Sequence, residues 1–223
     1  MSWRKESRRA ERGYHHGNLK EALLQAALGL IAEKGAAGFT FADAARMAGV
    51  SPAAPYRHFR DRDELLSSIA QRGFEMFESA LSAAWDDGRP DTVTAFERVG
   101  KAYLKFAREE PAFYSAMFES GLPVDLNPAL QAAGERAFGI IRAAAERLAA
   151  LAPPGVARPP ALMMALHIWS MSHGIASLFG RADAARRKLP MTAEELLESG
   201  VLVYLRGLGL PEHGAPERPP TSL

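Results

Sequence analysis

The sequence predicts an all-α fold, and three observations carry that prediction. Apolar residues recur at i, i+3, i+4 and i+7 through most of the chain. No segment alternates apolar and polar residues convincingly, as a half-buried strand would. The breaks between periodic segments carry helix signals: Ser, Thr, Asp or Asn ahead of a run, Gly or Pro beyond it.

Leu19, Ala22, Leu23, Ala26, Ala27, Leu30 and Ile31 make the first stripe. Asn18 with Glu21 three positions on predicts a capping-box start, and Gly35 predicts the end. Residues 39–59 then read FTFADAARMAGVSPAAPYRHF. Thr40 is placed to cap a second helix over about 41–48, because its hydroxyl can accept from a first-turn N–H that has no intrahelical partner. Ala45 is small where two helices must approach, Gly49 supplies the turn, and Val50 is expected to plug the core. Ser51 is a second cap and Pro52 fits a first helical position, so a third helix is predicted to start at Pro52. Pro55 and Phe59 share its inner face, leaving Ala53, Ala54, Tyr56, Arg57 and His58 to spread over the outer and flanking surface.

Asp61 with Glu64 predicts the cap of a fourth helix, carried by Leu65, Leu66, Ile69, Phe74, Phe77 and Leu81 to about Trp85. Asp86 to Asp91, with Gly88 and Pro90, reads as a loop and the seam of the chain. Beyond it, helices are predicted at about 92–109, 111–120, 128–151, 160–180 and 192–207. The stretch from Pro211 holds four prolines and few large apolar residues, and is expected to be a disordered tail. The chain has no internal repeat.

Composition narrows the function class. A chain of 223 residues with 48% hydrophobic content can build real cores. Its net charge of +1 gives no global argument for nucleic acid, but residues 1–20 carry six basic side chains against two acidic ones. The chain has no cysteine, so disulfides and thiolate metal sites are excluded. No apolar run follows the charged N-terminus, so it does not read as a secretory signal. Ala161 to Gly180 lacks Asp, Glu, Lys and Arg and would extend about 30 Å as a helix, enough for a bilayer. It also holds His167, His173 and three serines and follows a double proline, which fits a helix buried in protein better than a span.

The punctuation of residues 39–59 is that of a helix-turn-helix, a layout that can read DNA. On its outer face alanines can offer only apolar contact, for which the thymine methyl is the informative target. Arg57 has two roles open to it, a bidentate bond to guanine or neutralisation of a phosphate. An enzyme with a helical fold is the main rival, but no nucleophile with a paired base, no phosphate loop and no metal set stands at diagnostic spacing. His167 and His173 are six apart on one helix and cannot jointly hold a metal, and Ser172 beside His173 diverges by about 100°. His173 and Gly174 are expected where two helices cross closely, the glycine admitting the neighbour and the imidazole bonding a buried polar group. A second rival is a helical interaction or small-molecule-binding protein whose N-terminal domain does not read DNA.

The stretch GVSPAAPYRHF, in an N-terminal three-helix domain ahead of a larger helical domain, resembles a TetR-type transcriptional regulator. The likeness is specific over about residues 15–70 and architectural beyond. Trp169, His173 and Gly174, in HIWSMSHGIASLF, are similar to the Trp-His-Gly signature of one C-terminal subclass. The resemblance implies a basic arm at 1–16, a DNA-binding domain at 17–70, an effector-binding and dimerisation domain at 71–210, and a tail at 211–223. It implies a cytoplasmic homodimer on a palindromic double-stranded operator, with no cofactor, metal or membrane, released when a small apolar effector binds. Repression is the expected sign. Carried over by position, Thr40 and Tyr56 would hold phosphates, Ala53, Ala54, Arg57 and His58 would face the bases or their margin, and Arg62 would meet backbone, with Ser51 counted in this set as the cap. Pro55 departs from the family pattern of a branched aliphatic residue. Its ring removes the bond to the Ser51 carbonyl, which predicts a tighter or tilted first turn.

Aromatic and thioether side chains make an adaptable apolar cavity, so the candidate effector lining is Phe113, Tyr114, Met117 and Phe118 with Met163, Met164, His167, Ile168 and Met171. Dimerisation is expected to use helices 160–180 and 192–207. In the second of these, Leu196, Leu197, Val201, Leu202, Tyr204 and Leu205 leave a wide apolar face for a four-helix bundle.

Overall fold

A computed structural model describes residues 19–123, 127–180 and 189–210. The expected Asn18 cap, the basic arm and the tail from Pro211 lie outside the described residues. Among the described residues eight α-helices follow in order: α1 (Leu19–Lys34), α2 (Phe41–Met47), α3 (Arg62–Trp85), α4 (Thr92–Glu109), α5 (Pro111–Phe118), α6 (Pro128–Leu151), α7 (Ala161–Phe179) and α8 (Ala193–Gly207). Single 3-10 turns stand at Pro55–Arg57 and Asp86–Gly88. There is no strand among the described residues, and the all-α prediction holds.

The third helix does not form from Pro52. Residues 52–54 make a turn in which the Ala54 N–H donates to the Ser51 carbonyl at 3.0 Å. One 3-10 turn follows at Pro55–Arg57. The cause is local: prolines at 52 and 55 remove two N–H donors, so the four-residue closure of an α-helix has no donor at Pro55. Val50, expected to plug the core, is only half-buried, and Ala44 and Ala45 fill that place at 0% and 1% exposure.

The chain packs as two compact units that divide α3 at Gly73. The first takes the described residues up to Gly73 together with those from Ala112 to Leu130. Its core is Leu23, Ala27 and Ile31 of α1, Ala44 of α2, Phe39, Phe59, and Leu65, Leu66 and Ile69 of α3. α1 packs on α2 and on the Pro55–Arg57 turn. α5 belongs to this unit: a side chain at Gly73 would stand 2.7 Å from Met117 Sδ, so α3 and α5 touch closely there. Ser115 Oγ accepts from the Ala36 N–H at 3.2 Å, tying α5 to the connector after α1.

The second unit takes Phe74–Pro111 and the described residues from Gln131 on. Here α4, α7 and α8 pack on one another. Close approach comes from two glycines: a Cβ at Gly100 would lie 2.9 Å from Leu197 Cδ2, and one at Gly200 would lie 2.7 Å from Met171 Sδ. Gly174 does not play this part, contrary to expectation, since nothing lies within 4 Å of where its Cβ would be. The imidazole of His173 does find a buried partner. Tyr103, 1% exposed, has its hydroxyl 3.0 Å from His173 Nδ1 and accepts from Trp169 Nε1 at 3.2 Å. Its ring meets Phe77 edge-on at 5.0 Å.

Tyr103→Phe keeps that ring packing and deletes the shared hydroxyl, so it is expected to lower stability by about 0.5–1.5 kcal/mol for each hydrogen bond lost. Urea denaturation followed by tryptophan fluorescence checks this.

Candidate nucleic-acid interface

The start of α2 is fixed by a reciprocal cap. Thr40 is extended (φ −109°, ψ 160°), and its Oγ1 accepts from the Asp43 N–H at 3.1 Å. The Asp43 carboxylate accepts from the Thr40 N–H at 3.1 Å and from the Thr40 hydroxyl at 2.8 Å. These bonds, the hydroxyl first, hold the Asp43 carboxyl below its ordinary pKa of 3.8. Two orphan donors of the helix are thereby satisfied. Thr40 itself stays exposed, able to meet a ligand without leaving its cap.

α2 ends at Ala48, and Gly49 turns the chain with φ +71°, a conformation glycine adopts without strain. Beyond it, Pro55 and Phe59 are both buried, as their shared inner face required. Lys20 of α1 lies 5.7 Å from the Phe59 ring centroid. Outside stand Ala53, Tyr56, Arg57 and His58, all exposed, with Ala54 half-buried. Tyr56 is 63% exposed yet is not loose, because Phe41 meets its ring edge-on at 5.1 Å. Among the described residues Arg57 makes no ion pair, whereas Arg46 pairs with Asp43 at 3.1 Å and Arg60 with Asp61 at 2.9 Å. Arg57 therefore offers charge that no carboxylate among the described residues pairs with.

Asp61 caps α3 as read, its Oδ1 accepting from the Glu64 N–H at 2.9 Å. Arg62 faces inward. Its Nε donates to the Phe39 carbonyl at 3.0 Å, Nη2 donates to the Ala36 carbonyl, and the guanidinium stacks 4.8 Å from the Phe39 ring. With its side chain 26% exposed, its first task is structural, and any backbone contact with nucleic acid would share the group. Ser51 closes the following turn through its carbonyl. Sequence reasoning missed the Phe41 brace under Tyr56 and the inward turn of Arg62. Neither leaves a signal in periodicity, since both contacts cross between segments.

The candidate effector residues fall in both units. Phe113, Tyr114 and Met117 are buried and Phe118 half-buried in the first. In the second, Met164 and Ile168 are core, Met171 is half-buried, and Met163 and His167 are exposed, His167 Nδ1 lying 3.3 Å from the Tyr204 hydroxyl.

Known proteins share this arrangement. Residues 23–69 match the bacterial regulatory proteins of the tetR family, and residues 96–203 match the tetracyclin repressor-like C-terminal domain. The chain carries the N-terminal and C-terminal domains of the TetR family. Over 98 residues, 44% of this chain, it is 29% identical to an uncharacterized HTH-type transcriptional regulator of Haemophilus influenzae, a stretch that spans about half, 52%, of that relative. A solved structure of a protein with unknown function from Rhodococcus sp. RHA1 is similar at 28% identity and a TM-score of 0.71, covering 91% of this chain and 100% of its own. The TetR family transcriptional regulator PfmR from Thermus thermophilus is similar at 26% identity and a TM-score of 0.64, covering 83% of this chain and 98% of its own.

Thr40→Ala is expected to cost about 1 kcal/mol at neutral pH, the usual worth of such a cap. The lowered Asp43 carboxyl sets the pH sign. Its contribution is present above the unfolded carboxylate value and is lost as pH falls through the lower folded value. The gap between wild type and Thr40→Ala should therefore narrow in acid, as melting curves from pH 7 down to below the ordinary carboxylate range would show.

Proposed function

We propose that this protein is a DNA-binding transcriptional regulator that acts as a cytoplasmic homodimer, and that it represses from a palindromic operator until a small apolar effector binds its C-terminal part. The observation that carries the reading is the exposed group Tyr56, Arg57 and His58, with Tyr56 braced by Phe41 of the capped helix α2. Such a group suits a groove: a planar donor fork for guanine or phosphate, flanked by two rings with polar tips. Thr40 and Tyr56 would hold phosphates, with Ser51 setting the turn and Ala53 and Ala54 at the margin. The TetR-family match over both domains supports the class.

Dimer formation is assigned to α7 and α8, but not through Leu197, Val201 and Leu205 of the expected face, which are buried within the subunit at 2%, 4% and 2% exposure. Leu162, Met163 and Leu166 of α7 and Val203 of α8, the last 68% exposed, are large apolar side chains with water on them. Pairing two copies would remove that surface from solvent, at about 25 cal/mol per Å² of apolar area. The effector is read as bulky and mostly apolar. The Trp-His-Gly resemblance is supported by the shared hydrogen bonding of Trp169 and His173 to Tyr103.

Selection of bound sites from random duplex DNA by the full-length protein at near-physiological salt tests the reading. An inverted repeat with half-site centres about 10–10.5 bp, or a multiple, apart is expected. Arg57→Ala should weaken binding and flatten the salt dependence by about one unit of slope if Arg57 meets a phosphate, or relax one base position if it meets guanine. No enriched sequence across a salt series, from protein shown to be folded, would sink the regulator and leave a helical interaction module. Removal of residues 192–223 should abolish both dimer and tight DNA binding. A truncated chain that stays dimeric by sedimentation would overturn the interface.

A further inference from the structure

The element offered to the groove is a single 3-10 turn. Ser51 O, which would accept from residue 55 in an α-helix, accepts instead from the Ala54 N–H at 3.0 Å. Arg57 N–H then reaches Ala54 O at 3.3 Å and His58 N–H reaches Pro55 O at 2.9 Å, closures of three residues, and only at the exit does Phe59 N–H span four, to Pro55 O at 3.0 Å. The turn is pinned from inside by the buried Pro55 ring and Phe59, and from the side by Phe41 against Tyr56. As one α-helix, residues 52–58 would offer about 10 Å of continuous helix, whereas here only Pro55–Arg57 are helical and rise about 6 Å. Six ångströms is under two base-pair steps at about 3.4 Å each. Ala53 lies on the turn ahead of the element, Ala54 is half-buried, and each side chain ends at one carbon. Only Tyr56, Arg57 and His58 combine exposure with reach.

We propose that Pro55 is a specificity-determining residue: by holding residues 52–58 as a turn and one 3-10 turn, it confines contact at the groove to Tyr56, on the phosphate side, with Arg57 and His58, and keeps Ala53 and Ala54 from reaching the bases. This inference rests on the DNA-reading conclusion above. Leucine at 55 would keep an apolar side chain at the buried position and restore the missing N–H, allowing the α-helical closure onto Ser51 O.

The experiment is parallel site selection from random duplex DNA with full-length wild type, Pro55→Leu, Ala53→Gln and the double variant, each checked for folding by circular dichroism and a melting curve. Wild type and Ala53→Gln should enrich the same half-site. Pro55→Leu should enrich a longer or different one, and the double variant should gain about tenfold discrimination at one further base pair, the scale of a glutamine reading adenine. A changed half-site for Ala53→Gln alone overturns the inference while leaving the DNA reader standing, as does a folded Pro55→Leu that returns the wild-type half-site. If Pro55→Leu does not fold, the Ala53→Gln comparison decides by itself: an unchanged half-site supports the inference and a changed one overturns it. No enrichment by wild type removes the DNA-reading conclusion and this inference with it.

Discussion

The guanidinium of Arg62 is the interaction on which the reading head depends. It sits at the first residue of α3, reaches back to the carbonyls of Phe39 and Ala36, and covers the Phe39 ring. A planar fork with donors in fixed directions can bond two carbonyls while stacking on an aromatic face, which a lysine ammonium cannot. The connector between α1 and α2 is thereby held against α3, and α5 adds a second tie through Ser115 to the Ala36 N–H. Thr40 follows Phe39 directly, so the same anchor sets where the α2 cap begins. With the connector fixed from beneath, the outer surface can present Arg57 and His58 beside the Phe41-braced Tyr56.

The second unit meets a different constraint, because three helices must pack closely around buried polar atoms. Gly100 and Gly200 let Leu197 and Met171 come within contact of neighbouring backbone. A single phenol oxygen, that of Tyr103, then serves both Trp169 and His173. This explains how α7 can lack charge over its whole length and be long and apolar enough to cross a membrane by those measures alone, with a mean hydropathy of 1.2. Its Trp169 and His173 meet Tyr103 of α4 and its His167 lies beside Tyr204 of α8, and one flank of the helix carries Met164, Ala165, Ile168 and Ile175 into the core.

Much of the fold was legible because its signals are local. Thr40 with Asp43, Asp61 with Glu64, Gly35 and Gly49 at positive φ, and Pro111 and Pro128 at helix starts each act within one turn of themselves. Helix boundaries could thus be read from the chain to within a residue or two. The buried pair Pro55 and Phe59 followed from spacing in the same way. The same reading assigned Gly174 to a close helix crossing, which only the neighbouring chain can supply, and that place is taken by Gly100 and Gly200.

The reading segment divides the two kinds of information most clearly. That an α-helix would be disturbed at Pro55 was settled by covalent chemistry, since a proline has no N–H wherever it stands. What replaced the helix was decided by tertiary contacts: a buried Pro55 ring, Phe59 beneath it and Phe41 beside Tyr56 together select one 3-10 turn. In the same way the sequence by itself determined an all-α chain with a capped, proline-marked helix-turn-helix, because periodicity, caps and ring closure are properties of short stretches. Only the tertiary structure decided that Arg62 turns inward, that α5 packs with the head, and that Tyr103 joins Trp169 to His173. Those partners lie 23 to 79 residues apart along the chain, and no local pattern encodes which of several chemically suitable groups will be brought within reach.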